Sequence, residues 1–600
     1  MSSISPNAQA AVADAPHPFN KCNADIILRS SDLVDYRVYS QVLMAASPFF
    51  EGMFEVPQPP PEEQLQKYGL PIIRVSEDSK TLNTLLRICY PIPKPNVWDL
   101  GLIEAALRAA MKYEMEYAET ILTADLQSHI SRAIPPPGKI AVASTLFQVW
   151  AIACRLHLDK VALEAARCIR SWCRTPNHID AEKFHLPRAI LESPSEHLED
   201  ITAGQYFRLC RYLTDPVVDA DGEVLFKLPP STAGTADDYE ECVNRVPPNP
   251  SAAMNMPPVD LICISSEGER YLVHQAVLSA ASPTLRAKIV DACKGQALTP
   301  TVPPAVLPQG HAEPGGTLSS EPHRSTIPDD LPICHFDEPS RVLSRLLSSC
   351  YPGGLRLMNN DENDPDDLPL LVRVIKAIER YELEPTLDGQ YSGLRAAWRS
   401  AAHENPMRAY FVAIQCGHAG SARIAAEYVL SQGVLQLDDA AYVPEMETSP
   451  ALAYRRLLQY YCSCKALGRR GLRDLHTRLL ALPPAVPECS SPREPKPLKS
   501  GSKKTKSAKL GSGLVGDGAV LAPVHHTWLD NYVDGLRDAF ERSPHPAMLH
   551  DLNRVLAETA EDDKPGPWCE ECIILVRRLL DLDESLQKLT QEMDEVVLEV

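Results

Sequence analysis

The chain has 600 residues, a formal net charge of −20 and a pI near 5.4. An acidic surface repels phosphate, so direct nucleic-acid binding by the folded parts is not expected. No apolar run approaches the ~18 residues of a membrane span, and the 17 cysteines are scattered singly, which favours a reducing compartment, cytoplasm and/or nucleus.

The first half of the chain begins with a predicted α+β unit. Strands are expected at 24–28, 36–39 and 70–75, and Ser47-Pro48 is expected to separate two helices because proline disfavours helical geometry in the residue before it. A further helix is predicted from apolar residues spaced i, i+3, i+4, i+7, namely Leu82, Leu85, Leu86 and Cys89. Helical segments at 105–118 and 149–166 complete the pattern.

The second half repeats this pattern. Residues 260–283 are identical to residues 25–48 at 12 of 24 positions, and residues 331–352 are identical to 70–91 at 11 of 22. The offset between copies is far longer than the ~20–50 residues of a solenoid repeat. The sequence therefore predicts two whole domains in tandem, each followed by an all-helical tail.

Composition places the domain boundaries, because runs rich in proline, glycine or lysine are unlike folded cores. The predicted segments are a disordered N-terminus (1–17), a first domain (18–120) with its helical region (121–215), a linker (216–257), a second domain (258–390) with a disordered insertion near 296–330, its helical region (391–483), a disordered lysine-rich linker (484–523) and a helical C-terminal region (524–600).

The C-terminal region holds one candidate metal site. Cys569 and Cys572 have the CxxC spacing of half a zinc site, with Cys462, Cys464, His525 and His526 as candidate complements. Because a single CxxC is a weak signal, cysteines buried in a helix are favoured over zinc, and no metal or cofactor is expected.

Two other features of the C-terminal part allow two interpretations each. Apolar residues at heptad spacing indicate either a partner-binding helix or a terminal helix docked on its own domain, the second being favoured; they are Leu575, Leu579, Leu582, Leu586, Leu589, Met593 and Val596. Six lysines in the 484–523 linker indicate a solvated tether or a nuclear-localisation patch; they are Lys496, Lys499, Lys503, Lys504, Lys506 and Lys509.

The repeated pattern resembles the BTB/POZ domain, in which an aspartate and a strand precede a hairpin, a Val-Leu helix, a serine and a Phe-x-x-Met-Phe end. The positions of this pattern, called the pattern residues below, are Asp25, Tyr39, Val42, Leu43, Ser47, Phe50, Met53 and Phe54, and in the second copy Asp260, His274, Val277, Leu278 and Ser282. Tyr39 stands where the family usually has histidine, and the second copy lacks the Phe-Met-Phe end. The whole chain is similar to BTB-domain proteins abundant in fungi.

The resemblance implies a non-catalytic adaptor with two BTB/POZ-like domains that pair within one chain or between chains. It also implies other protein partners, including a cullin if the family's ubiquitin-ligase role applies, although the hydrophobic-x-Glu contact expected for a cullin is not recognisable after Phe54. The alternative is a nuclear, chromatin- or transcription-associated scaffold. No phosphate-binding loop, nucleophile elbow or HExxH motif occurs, so an enzyme is not expected.

Overall fold

The computed structural model describes residues 12–56, 65–93, 99–132, 140–173, 188–214, 223–228, 258–296, 331–351, 368–383, 390–435, 441–480, 537–538, 540–545, 588, 591–593, 595–596 and 598. The chain divides into two compact units. The first unit comprises Met1–Pro230 with Leu437–Asp439 and Pro450–Cys462, and the second comprises Ser231–Gln436 with Ala440–Ser449 and Ser463–Val600. The described part is mixed α+β and mostly helical.

The first unit contains a small sheet of strand order β1-β3-β2-β5-β4. Its strands are β1 Ala13–Asp14, β2 Ile26–Arg29, β3 Val34–Val38, β4 Gln66–Lys67 and β5 Leu70–Arg74. β2 pairs antiparallel with β3 and parallel with β5, which places Ile27 opposite both Arg37 and Ile72. All three central strands were predicted, to within two residues at each end.

Nine helices are described in the first unit's N-terminal part, from residue 40 to residue 214. They are α1 Ser40–Ala46, α2 Pro48–Glu55, α3 Ser79–Cys89, α4 Leu100–Lys112, α5 Glu116–Arg132, α6 Ile140–Arg155, α7 Asp159–Cys173, α8 Arg188–Leu191 and α9 Ala203–Thr214. Asp78 caps α3 by accepting a hydrogen bond from the Thr81 N–H (2.8 Å). The predicted apolar face of α3 is confirmed, since Leu82, Leu85 and Leu86 are buried.

The second unit repeats the central part of this architecture. Its described strands, β6 Leu261–Ile264, β7 Arg270–Val273 and β8 Ile333–His335, have the order β7-β6-β8. Ile262 lies opposite Leu272 and Ile333, the positions that correspond to Arg37 and Ile72 in the first copy. The two sheets therefore share register as well as strand order.

The helices of the second half follow the same sequence. They are α10 Gln275–Ala281, α11 Pro283–Gln296, α12 Ser340–Ser349, α13 Leu368–Arg380, α14 Gln390–Glu404, α15 Pro406–Gln415, α16 Ala419–Gln432 and α17 Ala451–Leu480. The predicted break at each Ser-Pro is confirmed, because α2 and α11 both begin at the proline and the preceding serine is extended. No helix in the described ranges is long and apolar enough to cross a membrane.

Two predicted boundaries need correction. Residues 1–17 were expected to be disordered, but Ala13–Asp14 pair in parallel with the start of β3, and Ala15 is buried. The 216–257 linker was expected to be unstructured, but Glu223–Leu225 form a short 3-10 turn whose Leu225 carbonyl accepts a hydrogen bond from Arg208 Nε (3.1 Å). Backbone atoms of both segments form hydrogen bonds with residues elsewhere in the chain, and such bonds leave little trace in composition.

Candidate functional site

One aspartate joins each sheet to the helix that follows it. The Asp25 carboxylate accepts hydrogen bonds from the backbone N–H (2.8 Å) and the hydroxyl of Ser40. Asp260 accepts one from the Gln275 N–H (2.7 Å) at the corresponding helix start. Each carboxylate thus satisfies an N–H group that the first turn of a helix leaves unpaired. These two pattern residues hold the start of α1 at the N-terminal end of β2 and the start of α10 at the N-terminal end of β6.

The two pattern serines are buried, and each forms hydrogen bonds with two separate parts of the chain. Ser47 Oγ accepts a hydrogen bond from the Phe50 N–H (3.1 Å) and donates to the carbonyl of Tyr113 (2.5 Å). Ser282 Oγ accepts from the Leu285 N–H (2.9 Å) and donates to the carbonyl of Tyr381. Each serine therefore caps a helix and ties it to the end of a helix much later in the chain.

Tyr39 and His274 occupy one repeat position and share a backbone contact. The N–H of Tyr39 donates to the Tyr90 hydroxyl (2.8 Å), and the N–H of His274 donates to the Tyr351 hydroxyl (3.0 Å). His274 Nδ1 also lies 3.0 Å from the Tyr351 hydroxyl oxygen. Burial raises the pKa of Tyr351 to about 12, so this hydroxyl stays protonated and structural near neutral pH.

Sequence reasoning missed one repeated pair of residues. The hydroxyl of Tyr113 donates to Glu77, whose carboxylate also lies 2.8 Å from Lys112 Nζ. The hydroxyl of Tyr381 donates to Glu338 in the same way (2.7 Å). The signal was present, since the two glutamates are identical residues in the matched windows. This pair holds the strand-to-helix turn against the end of α4 or α13.

The remaining pattern residues are apolar and build the helix contacts. Leu43, Leu278 and Phe50 are buried, and the side chains left half-exposed are Val42, Val277, Met53 and Phe54. The buried members of this set are structural supports, while these four half-exposed side chains also reach the surface.

A buried charge network distinguishes the first copy from the second. Asp35 in β3 is fully buried and receives two hydrogen bonds from Arg29 (2.6 and 3.0 Å) and one from Lys67 Nζ (2.7 Å). Arg270 and Ile264 stand at the positions of Asp35 and Arg29 in the second copy, so the network is not repeated there. The network joins β2, β3 and the β4–β5 hairpin.

The stabilising effect of the Asp35 carboxylate is expected to disappear in acid. Burial alone would raise the pKa of Asp35, but the hydrogen bonds and charges of Arg29 and Lys67 outweigh burial and hold it below its usual value. Because the folded-state pKa is lower than the unfolded one (~3.9), the contribution is full above about pH 4 and is lost as the pH falls through the folded-state pKa. Urea unfolding of wild type and Asp35→Asn should therefore differ at neutral pH and converge in acid. A difference that widens below about pH 4 would contradict this assignment.

Exposed apolar side chains are concentrated on the first copy. Among the described large hydrophobic residues that are exposed, five lie between residues 49 and 117: Phe49, Val56, Leu65, Tyr68 and Tyr117. Phe49 and Val56 mark the start and the end of α2, while Leu65 and Tyr68 belong to the β4–β5 hairpin. In the described part of the second half of the chain, only Val290 is of this kind.

Chemically reactive groups are scarce in the described part of the chain. Burial raises the pKa of the Cys89 thiol to about 11 and that of Cys350 to about 12, so both stay protonated. No group of three or more metal-ligating side chains occurs among the described residues. The candidate ligands Cys569 and Cys572 lie outside the described residues, as do His525, His526 and the six lysines of the linker.

Comparison with known families identifies part of the first unit. Residues 17–130 match the BTB/POZ domain family. The match spans β2 to β5 and α1 to most of α5, about a fifth of the chain. The sequence matches no curated protein. The N-terminal part of the chain therefore contains a BTB/POZ domain, a module that binds proteins, self-associates and is generally not an enzyme.

Proposed function

We propose that this protein is a non-catalytic interaction adaptor that binds protein partners through the exposed apolar side chains of its BTB/POZ domain. The observation that carries this proposal is the concentration of those side chains at α2 and the β4–β5 hairpin. Isolated exposed apolar residues are ordinary on a protein surface, so the proposal depends on how many of them this one domain carries.

Phe49 has the properties of a fixed anchor. Its side chain is 41% exposed, yet its ring contacts the rings of Phe50 and Tyr113, each with a centroid separation of 5.4 Å. Since Phe50 and Tyr113 are buried, the inner side of the Phe49 ring packs against the domain core. An aromatic side chain that is already ordered loses little conformational freedom when a partner covers it.

Tyr68 is the second anchor. It lies at the turn between β4 and β5, is 65% exposed, and has the Arg37 guanidinium 4.4 Å from its ring centroid. The adjacent Lys67 is held by Asp14 and Asp35, which fixes the hairpin tip. Tyrosine and arginine are both enriched among the residues that contribute most of the binding energy at protein interfaces.

We also propose that the second copy, residues 258–390, is a BTB-like domain, so that the chain is a tandem adaptor. The strand order, the strand register and the hydrogen bonds of the pattern serine are the same in both copies and support this assignment. Because the described second copy exposes only Val290 among large apolar side chains, we expect it to bind different partners or none by this mode.

The identity of the partner would distinguish two narrower roles. An adaptor of a cullin ubiquitin ligase would co-purify with a cullin, whereas a nuclear scaffold would co-purify with chromatin- or transcription-associated proteins. The BTB/POZ match is compatible with both roles. Affinity purification of the full chain followed by mass spectrometry separates them.

The adaptor proposal predicts that Phe49→Asp combined with Tyr68→Asp weakens binding without unfolding the protein. Loss of each anchor should cost about 1–2 kcal/mol, so affinity should fall roughly 30- to 1,000-fold for the pair. Self-association is measured by light scattering, and partners are measured by quantitative affinity purification of the full chain.

Val290→Asp is the matched control, because it places the same charge on an exposed apolar position of the second half. Partners or dimers that survive in Val290→Asp and disappear in the double variant support the proposal. If the double variant keeps the wild-type oligomeric state and partner set, the first copy's apolar surface is not the binding site.

A further inference from the structure

A short segment of the second unit packs against two helices of the same unit. It comprises Phe540–Pro544, called the docked segment below, and it contacts the end of α16 and the middle of α17. The Phe540 side chain is only 2% exposed. A Cβ placed on Gly468 of α17 would lie 1.8 Å from the Phe540 ring, so only glycine admits the ring at this depth.

Ion pairs hold Glu541, the second residue of the docked segment. The Glu541 carboxylate lies 2.8 Å from Lys465 Nζ and accepts two hydrogen bonds from the Arg469 guanidinium, one of them 2.6 Å long. Lys465 Nζ also donates to the Glu541 carbonyl (3.1 Å). A bidentate arginine–carboxylate pair imposes geometry as well as attraction. Shape complementarity at Gly468 and charge complementarity at Glu541 therefore act on adjacent residues.

Ser543 completes the contact at the C-terminal end of α16. Its hydroxyl lies 2.9 Å from the Leu430 carbonyl oxygen and 2.5 Å from that of Ser431. These oxygens belong to the last turn of α16, where the helix dipole is negative. Gly433, at φ +62°, ends the helix, and a Cβ there would lie 2.3 Å from the Arg542 carbonyl oxygen. Ser543 serves here as a hydrogen-bond donor in a site lined by acceptors.

Phosphorylation would replace the hydrogen-bond donor of Ser543 with a negatively charged acceptor group. Transfer of the γ-phosphoryl group of ATP to Ser543 Oγ breaks the bond to the ADP oxygen, forms an O–P bond and releases the hydroxyl proton. The phosphate carries about −1.5 to −2 charges and has acceptor oxygens only. Two carbonyl oxygens at the negative end of a helix repel such a group, and burial of Ser543, which is 8% exposed, withholds the water that would solvate the charge.

We propose that the docked segment is a reversible intramolecular latch, and that a proline-directed kinase releases it by phosphorylating Ser543 of the Ser543-Pro544 dipeptide. The other Ser-Pro serines of the described residues are also buried, namely Ser47, Ser193, Ser282 and Ser449. Of these, Ser47 and Ser282 are helix caps within the domain cores. Exposing those two serines requires unfolding a domain, whereas exposing Ser543 requires only undocking of a short segment.

The test uses the full chain, a proline-directed kinase and ATP, with site occupancy measured by mass spectrometry and amide hydrogen exchange measured over 540–545. Gly468→Ala should displace the Phe540 ring and raise the initial rate of Ser543 phosphorylation at least about tenfold, because loss of a buried aromatic contact shifts an equilibrium by more than that. Gly393→Ala is the matched control, since a Cβ on that exposed helical glycine meets no atom within 4 Å. Ser47 and Ser282 serve as internal controls and should stay unmodified.

Phe540→Ala provides an independent variant if Gly468→Ala impairs folding, because it removes the ring without adding atoms. Phosphorylated wild type should show faster exchange over 540–545 than unmodified protein. The proposal is overturned if Ser543 is modified while exchange of the segment stays unchanged. It is equally overturned if wild type and both undocking variants are modified at the same rate, or if Ser543 is modified in none of them.

Discussion

Asp35→Ala is expected to lower the free energy of unfolding of the first unit by about 3–5 kcal/mol, as removal of one member of a buried ion pair generally does. Arg29, which is largely buried, would lose its carboxylate partner, and Lys67 would keep only Asp14. Because domains are stable by only about 5–15 kcal/mol, this loss is a large fraction of the total. Urea unfolding of the full chain, with hydrogen exchange over β2 and β3, measures it.

Asp291→Ala is the appropriate control for this experiment. Asp291 forms an ion pair with Lys294 (3.4 Å) in which both side chains are more than 70% exposed. Such surface pairs contribute about 0–1 kcal/mol, so this variant should unfold almost as wild type does. Equal effects of the two substitutions would show that the Asp35 network is not a buried determinant of stability.

The fold was predictable wherever the sequence carries a local or repeated signal. The matched windows gave the central strands of both sheets, and the buried face of α3 followed from the spacing of Leu82, Leu85 and Leu86. The Ser-Pro breaks followed from the geometry that proline imposes. In each case a few neighbouring residues determine the outcome.

Other features depend on packing between residues far apart in the chain and could not be predicted. Nothing in Ala13-Asp14 indicates a strand, because two residues carry no periodicity and the pairing partner supplies the order. The partnership of Lys67 with Asp35 likewise has no local signature. The pattern residues follow from a resemblance, and Ser47 and Ser282 among them make buried hydrogen bonds, whereas no sequence signal marks the exposed Phe49 and Tyr68.

The membership of Pro450–Cys462 in the first unit is the least expected feature. A sequence signal for it exists, because residues 451–461 are identical to residues 203–213 at five of eleven positions: Ala, Tyr, Arg, Leu and Tyr. The start of α17 is therefore the repeat equivalent of α9. Thr202 and Pro450, which precede these helices, form an antiparallel bridge.

The contacts of this helix with α9 and its neighbours are those of a core. The Tyr454 ring lies 6.2 Å from that of its repeat equivalent Tyr206 and 5.8 Å from that of Phe207, in edge-to-face geometry. Arg455 Nη1 donates to the carbonyl of Ser193 (2.5 Å), and Gln459 Nε2 donates to that of Leu191 (2.7 Å). The helical region of the first unit is thus completed by a helix from the second half of the chain.

Tyr454→Ala is therefore expected to destabilise the first unit by about 3–5 kcal/mol, the usual cost of truncating a large buried aromatic side chain. The Tyr454 side chain is 1% exposed, so its removal leaves a cavity beside Tyr206 and Phe207 that water cannot fill favourably. Hydrogen exchange should accelerate in α9, more than 200 residues away in sequence. Tyr428→Ala in α16 is the matched control: Tyr428 is half-buried in the second unit, against His403. If Tyr454→Ala leaves exchange in α9 unchanged while Tyr428→Ala accelerates exchange in α16, the start of α17 does not belong to the first unit's core.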